Sequence, residues 1–296
     1  MEQKIVATIV VTYNRLNLLQ EEIESLRAQT FKDNQIVVIN NGSTDGTLDW
    51  LKQQNDIITI TQGNLGGAGG FNTGMRYAVE NGYKYCWVMD DDVICSPDAL
   101  QELYDGYHKK ENIGFVCSRV SGIDGKAMNT PVVEDRGKDG YGNYYDLIEQ
   151  QMIKVKEATF VSVFLATEKI KELGLPIKEF FIWGDDTEFT YRVSSKYDSY
   201  LCCKSTVVHK RNIQKGLTFD TEIDPKRLKN YFYMFRNNGY NRVKYKNERI
   251  FFILAQGYYR TFFYYLIRGK WSHARILFKA MNSFIGFKPA IEFPKQ

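Results

Sequence analysis

Three consecutive carboxylates, Asp90-Asp91-Asp92, close the apolar run Tyr85-Cys86-Trp87-Val88-Met89, with no basic residue beside them. The run is short enough for a buried strand. Acids packed at the end of such a strand repel one another, and a divalent cation removes the repulsion. Hard oxygen ligands favour Mg2+ or Mn2+, ions that commonly bridge to a substrate phosphate. The structural alternative is a solvated acidic turn before the helix that Ser96-Pro97-Asp98 starts. A second acid cluster, Trp183-Gly184-Asp185-Asp186-Thr187-Glu188, opens a predicted helix carrying Phe189 and Val193. Favourable interaction with a helix N-terminus accounts for one of these acids more readily than for all three. Trp183 suits stacking on a sugar as well as burial in a core. A carboxyl near an apolar ring can acquire a raised pKa, as a general base needs. His209 ends a further apolar run at 200–208, just before Lys210 and Arg211. That position suits a metal or diphosphate contact, or a structural role. His108 and His273 fall on predicted helices without partners and read as surface or packing residues.

The elements that must position these groups alternate along the chain. Residues 5–11 are apolar and β-branched throughout, as a strand buried on both faces would be; 35–39 and 85–89 read as further buried strands and 57–61 as another strand. Residues 16–29 show helical spacing at Leu19, Ile23 and Leu26, and shorter helices are expected at 48–54 and 75–80. Strand, loop and helix in this order imply an α/β fold, a mostly parallel sheet flanked by helices. Ligands in such folds bind at the carboxyl ends of the strands. The loops at 12–15, 40–47, 63–74 and 90–92 all lie there. The glycine-rich stretch 63–74 fits neither the dinucleotide fingerprint nor the phosphate-loop pattern. We expect it to be a ligand-contact loop ending at a helix start that favours an anion. The alternative is a flexible loop that lets backbones approach closely. Residues 119–151 are polar, Gly-rich and poorly periodic, as in a lid, a binding loop or a disordered segment. Residues 160–166 read as a strand, followed by a helix that Thr167 starts and Gly174 closes.

The net charge of +4 is unevenly divided. Residues 226–296 hold 15 Lys/Arg against 2 Glu, while the remaining 225 residues hold 24 basic and 33 acidic groups. An acidic body with a basic, aromatic tail points to a tail that meets an anionic surface. Helices are expected over 226–287, the first started by Asp224-Pro225. Aromatic and aliphatic residues on one side, bordered by Lys and Arg, fit an interfacial helix on an anionic membrane. The alternative is packing on the body or on a second subunit of a homo-oligomer. The aromatics lie in runs among aliphatics, which suits lipid or packing better than base stacking, so no nucleic-acid partner is expected. No run of about 18 uncharged apolar residues occurs, and no apolar signal region opens the chain, so no spanning helix is expected. Five cysteines without a C-x-x-C pair read as free, mostly buried thiols in a reducing compartment.

Taken together, the motifs resemble glycosyltransferase family 2, the inverting, metal-dependent enzymes of the GT-A fold. They are Val11-Thr12-Tyr13-Asn14-Arg15, Asn40-Asn41-Gly42-Ser43-Thr44-Asp45-Gly46-Thr47, Asn64-Leu65-Gly66-Gly67-Ala68-Gly69-Gly70-Phe71, the triple Asp, Trp183-Gly184-Asp185-Asp186-Thr187-Glu188 and His209. Their combination looks most like the galactofuranosyl- and rhamnosyltransferase-like branch. The resemblance covers residues 4–212. It implies a catalytic domain at 1–225, with 226–296 as an appended helical tail. It implies a donor sugar carried on UDP or dTDP, and nucleotide contacts at Thr12, Tyr13, Asn14, Arg15, Asn40, Asn64, Gly67, Asp90 and Asp91. Asn40 departs from the family's usual Asp, which bears on the choice of base. The resemblance further implies Asp90, Asp92 and His209 around Mn2+ or Mg2+, Asp186 as catalytic base, and Trp183 and Asp185 as acceptor contacts. The acceptor would be a glycan hydroxyl, lipid-linked, in bacterial surface polysaccharide synthesis at the inner face of the cell membrane. The rival reading is a non-catalytic protein of the same fold that binds a sugar nucleotide or glycan.

Overall fold

The computed structural model describes residues 4–134, 136, 142, 144–211, 218–245 and 250–295. The chain divides into two compact units. The first holds residues 1–178, 186–212 and 291–296; the second holds 179–185 and 213–290. The tail unit therefore includes the short segment before Asp186 and begins ahead of residue 226, while the last residues return to the first unit.

The first unit opens with β1 (Val6–Thr12), α1 (Leu16–Arg27), β2 (Asn34–Asn40), α2 (Thr47–Leu51), β3 (Ile57–Thr61), α3 (Gly66–Glu80) and β4 (Tyr85–Asp90). Short β5 (Val93–Cys95), α4 (Ala99–Tyr107), β6 (Val116–Gly122) and β7 (Val132–Val133) follow. Then come β8 (Met152–Glu157), β9 (Val163–Ala166), α5 (Thr167–Leu173), α6 (Asp185–Ser194) and β10 (Tyr200–His209). The sheet order is β3-β2-β1-β4-β9-β6-β10-β8-β7, with β5 paired to β10. From β3 to β4 every pairing is parallel; β9 then adds antiparallel to β4. In register, Thr12 pairs with Asn40, Asn40 with Thr61, and Val11 with Asp90. The four expected loops thus leave one edge of the sheet. Along β1 the side chains alternate between two apolar layers. Val6 and Val10 join Leu19, Ile23 and Leu103, while Ala7, Ile9 and Val11 join Phe71, Met75 and Val88. Both faces are covered, which is why the strand has no polar alternation.

The glycine-rich stretch differs from the expected loop. Only residues 63–65 form a loop, and α3 is already helical at Gly66. The reason is close packing on β1. A Cβ at Gly70 would lie 2.3 Å from Val11 Cγ1, and one at Gly74 2.3 Å from Ile9 Cγ2. Two glycines four residues apart give one helix face bare enough to rest on the sheet. The polar stretch 119–151 is also more ordered than a single lid. It begins within β6, forms a bridge between Ser121 and Ala127, and contributes β7, which pairs with β8. Of its Tyr-rich segment, Tyr141 and Asn143 lie outside the described residues. Residues 291–295 are tied down by Glu292, which pairs with Arg76 at 2.7 Å and with Lys178.

The second unit contains α7 (Pro225–Tyr245), α8 (Ile250–Ile267) and α9 (Trp271–Gly286), with α9 packed on both α7 and α8. Its core gathers Phe219, Tyr231, Tyr265, Ala274 and Leu277. His273 Nε2 donates to Phe219 O, and His108 bonds Tyr85 and the Tyr104 carbonyl, so both are packing residues. No helix among the described residues is long and apolar enough to cross a membrane. The five cysteines are free, and all but Cys203 are buried.

Candidate active site

The end of β4 meets the start of β1's loop. Asp91 turns inward: Thr12 Oγ1 donates to it at 2.8 Å and Arg15 Nη1 at 3.1 Å, with the Tyr13 N–H more distant at 3.4 Å. Asp92 lies between two groups, Arg15 Nη1 at 2.7 Å and His209 Nε2 at 2.9 Å. The sheet explains this meeting of residues so far apart in sequence. β5 pairs antiparallel with β10 so that Val93 faces His209, and the Lys210 N–H donates to Asp92 O at 2.7 Å. On its other side His209 Nδ1 lies 2.9 Å from Asn129 Oδ1. Asn129 has a left-handed backbone, φ +48°, which Asn tolerates better than most residues.

One oxygen or nitrogen from each of Asp90, Asp92 and His209 falls within 4.8 Å of the others. Asp92 Oδ1 is buried with no donor aligned on it, although His209 Nε2 is near. Two carboxylates and an imidazole fixed through its other nitrogen suit Mg2+ or Mn2+. The donor set therefore fits a divalent cation.

The electrostatics are those of a crowded anionic site. Burial, then Asp92 and Asp91, push the Asp90 carboxyl well above the usual carboxylate range. Burial lifts Asp91 to about 6 against the opposing pull of Arg15. Burial also disfavours the charge of Asp92, but His209 and Arg15 outweigh it and hold its pKa below the usual value. Arg15 loses solvation, yet the three acids keep its pKa raised. A fourth carboxyl lies beneath. Glu22 of α1 is fully buried, with neither oxygen in a well-aligned hydrogen bond. Burial and the nearby Asp91, Asp92 and Asp90 push it well above its ordinary value, opposed in part by the Val93 backbone N–H.

The acids of α6 divide differently. Glu188 is fully buried and forms a two-pronged pair with Arg192 at 2.8 and 3.1 Å. Arg192 in turn donates to the carbonyls of Leu173, Gly174 and Leu175, so Glu188 serves the frame. Asp186 is half-buried, accepts the Thr187 N–H at 2.7 Å, and lies close enough to Asp90 for its charge to be felt there. Asp185 is buried and Trp183 half-buried at the margin of the second unit's core.

The expected nucleotide contacts separate into two groups. Tyr13, Asn14, Arg15 and Asn64 are exposed, and Gly67 is half-buried. Asn14 bridges the loops after β1 and β2: its Oδ1 accepts the Thr44 N–H at 2.7 Å. The side chains of Thr12 and Asn40 are buried instead. Thr12 is engaged with Asp91, and Asn40 Oδ1 accepts the Ser43 N–H at 3.0 Å, while Asn40 Nδ2 is left without a partner. Asp91 likewise spends its carboxylate inside the protein. Sequence reasoning missed Glu22 and Asn129. For Glu22 the signal was present, since residues 19, 22, 23 and 26 share one helix face. For Asn129 no local signal exists, because its partner is 80 residues away.

The sequence model described as "Glycosyl transferase family 2" matches residues 7–167. The chain belongs to that family. It is 27% identical over 234 residues to the galactofuranosyltransferase GlfT1 of Mycobacterium tuberculosis, covering 74% of this chain and 68% of the relative. It is 27% identical over 112 residues to a poly-beta-1,6-N-acetyl-D-glucosamine synthase of Staphylococcus aureus, covering 36% of this chain and 26% of that one. In structure it is similar to S. aureus TarS 1–349, solved in complex with UDP. The TM-score is 0.56 at 14% identity, over 96% of this chain and 72% of that one. This likeness gives the fold as GT-A.

Proposed function

We propose that this transferase is inverting and metal-dependent, moving a galactofuranose- or rhamnose-like sugar from a UDP or dTDP donor to a glycan hydroxyl. The observation that carries the reading is the meeting of Asp90, Asp92 and His209 at the carboxyl edge of the parallel strands, with the charge of Asp186 felt at Asp90. Bound Mg2+ or Mn2+ would offset the negative charge developing on the departing nucleotide diphosphate. Asp90, Asp92 and His209 would hold it. Tyr13, Asn14 and Asn64 present an exposed surface to the nucleotide. Arg15, now paired with Asp91 and Asp92, adds a cation within reach of a diphosphate. Asp186 takes the proton from the acceptor hydroxyl, which is too weak a nucleophile without that help. A single base acting in one displacement inverts the anomeric centre. Trp183 and Asp185 meet the acceptor.

The galactofuranose preference draws on the name of the mycobacterial relative. We assign catalysis to residues 1–225. The tail from 226 we assign to an anionic membrane surface at the inner face of the cell membrane, where a lipid-linked acceptor would lie. Phe252, Ile253, Tyr259, Phe263 and Ile267 are exposed along α8, with exposed Arg260 among them and exposed Arg268 just after it. Each Lys or Arg near an anionic leaflet contributes on the order of 1 kcal/mol. Flotation with anionic liposomes at low salt should recover the chain, and high salt or neutral lipid should release it. Equal recovery under all conditions would remove the membrane.

The deciding experiment is release of nucleotide from a panel of UDP- and dTDP-sugars, with octyl galactofuranoside and octyl rhamnoside as acceptors, in Mn2+ or in EDTA. Mn2+-dependent release with an inverted product supports the reading. Binding of UDP without turnover on any donor would leave a non-catalytic binding protein.

A further inference from the structure

The segment before Asp186 has a backbone that its own sequence does not favour. Phe181 has φ +64°, Trp183 φ +63° and Gly184 φ +93°. Two large aromatic residues in the left-handed region are strained, and such strain persists only where the surroundings impose it. The surroundings here are one face of α7. Asn237, fully buried, directs its Nδ2 at three carbonyls: Phe180 O at 2.9 Å, Ile182 O at 3.1 Å and Trp183 O at 2.7 Å. One turn further on, Asn241 Nδ2 donates to Gly184 O at 2.9 Å. Arg236, also buried, donates to Glu179 O at 2.6 Å, and its Nε donates to Asn237 Oδ1 at 3.0 Å. That last bond fixes which way the Asn237 amide faces, so its N–H groups point at the turn. Rings add to the clamp: Phe181 stacks on Tyr233 at 4.8 Å, and Trp183 meets Tyr231 edge-on at 5.3 Å. The five carbonyls of Glu179, Phe180, Ile182, Trp183 and Gly184 are thus bonded by side chains at 236, 237 and 241. Spacing of four residues places Asn237 and Asn241 on one helix face.

We infer that Asn237 and Asn241 are positioning residues for acceptor recognition: they hold the strained turn at 180–184 in the one conformation that presents Trp183 and Asp185. This rests on the reading of Trp183 and Asp185 as acceptor contacts. α7 itself need not touch the acceptor. The helix carries a structural duty in the second unit and a specificity duty through this turn. Misplacement of a binding group by about an ångström is enough to cost a large factor.

Asn237→Asp tests this with little change of shape. It removes both N–H donors and sets a carboxylate against three carbonyls. Asn241→Ala is the milder second variant, should the first fold poorly. Three quantities are read on the full chain: amide hydrogen exchange over residues 180–186, KM for octyl galactofuranoside at saturating donor, and UDP affinity with Mn2+ by calorimetry. We expect faster exchange in that segment and a rise in acceptor KM of about ten- to hundred-fold, with kcat and UDP affinity within about threefold of wild type. Unchanged exchange in both variants would overturn the clamp. Faster exchange with unchanged KM would overturn the positioning role while leaving the transferase intact. Trp183→Ala separates the two layers: if that variant also keeps its acceptor KM, the acceptor assignment has failed, whatever Asn237 does.

Discussion

Asp91 and Glu188 each belong to a run of acids, and each is turned away from it. Asp91 binds Thr12 and Arg15 and fixes the end of β1 against the end of β4. Glu188 binds Arg192, which gathers the carbonyls at 173–175. In both clusters one carboxylate is part of the frame, and its neighbours are the ones we propose for chemistry. The clusters differ in how the remaining charge is treated. Asp92 is buried and held between Arg15 and His209, in the cluster we propose for a cation. Asp186 is half-buried and accepts the Thr187 N–H, and it is the carboxylate we propose as the proton acceptor. Three acids in a row are equivalent on paper; burial and the identity of the donor that reaches each one make them unequal.

The comparison is broken most directly at Asp92. Asp92→Ala should abolish transfer and the Mn2+-dependent part of UDP binding, with the far-ultraviolet dichroism unchanged. Turnover at the wild-type rate would show that the cluster at 90–92 is only a turn. Asp186→Asn should keep UDP binding and lose transfer by about 10²–10⁴-fold, the usual cost of removing an acid-base group. Glu188→Ala should do something different in kind. Leaving Arg192 buried without its partner costs about 3–5 kcal/mol of stability, read as a fall in the denaturation midpoint. Should Asp186→Asn stay active while Glu188→Gln folds normally but is inactive, the roles within α6 are reversed.

A smaller effect sharpens the first cluster. Asn129→Gly keeps the left-handed backbone and removes the acceptor that fixes His209. Mn2+ affinity should fall about ten- to hundred-fold, as for other partners behind a metal ligand. Asn129→Asp, which still accepts, should restore it. Titration with Mn2+ followed by electron paramagnetic resonance reads this without turnover.

Much of the frame was legible because its causes are local. Strands covered on both faces are apolar at every position, and α1 shows its buried side at Leu19, Ile23 and Leu26. The order of strands and helices then brought four loops to one edge without any side-chain contact being known. The glycine stretch was misread because glycine serves two purposes, left-handed turns and close packing. Here Gly70 and Gly74 serve the second, and only the partner strand reveals it. Thr12 and Asn40 stand at the right edge, but their side chains point inward, and the last residue of a strand does not declare its facing. Asn129 and Asn237 act on partners 80 and at least 54 residues away, respectively, so nothing nearby in sequence marks them.

The smallest effect concerns Glu22 and Asp91 and separates the two clusters by pH. In EDTA the chain should gain stability as pH falls from 7 to 5. Asp91 titrates near about 6 when folded, against a usual 3.8. A carboxyl raised in the folded state binds its proton more tightly there than in the unfolded chain. Its burial therefore costs stability at high pH, and the cost shrinks as pH falls through the folded value towards the unfolded one. From Asp91 alone the gain between pH 7 and 5 is about 1 kcal/mol. Glu22, also raised, has the same sign. Asp92 has the opposite sign, but its folded value lies below 3.8, so its contribution is lost only beneath this window. Asp90 is raised as well, so Glu22→Gln removes one of three raised acids and should flatten the slope measured by urea denaturation. An identical slope in that variant would mean that Glu22 is not held protonated by its surroundings. Saturating Mn2+ should reverse the slope of the wild type, because the cation and protons compete for the same carboxylates. No such reversal is expected from α6, where Glu188 is paired with Arg192 rather than facing the cation.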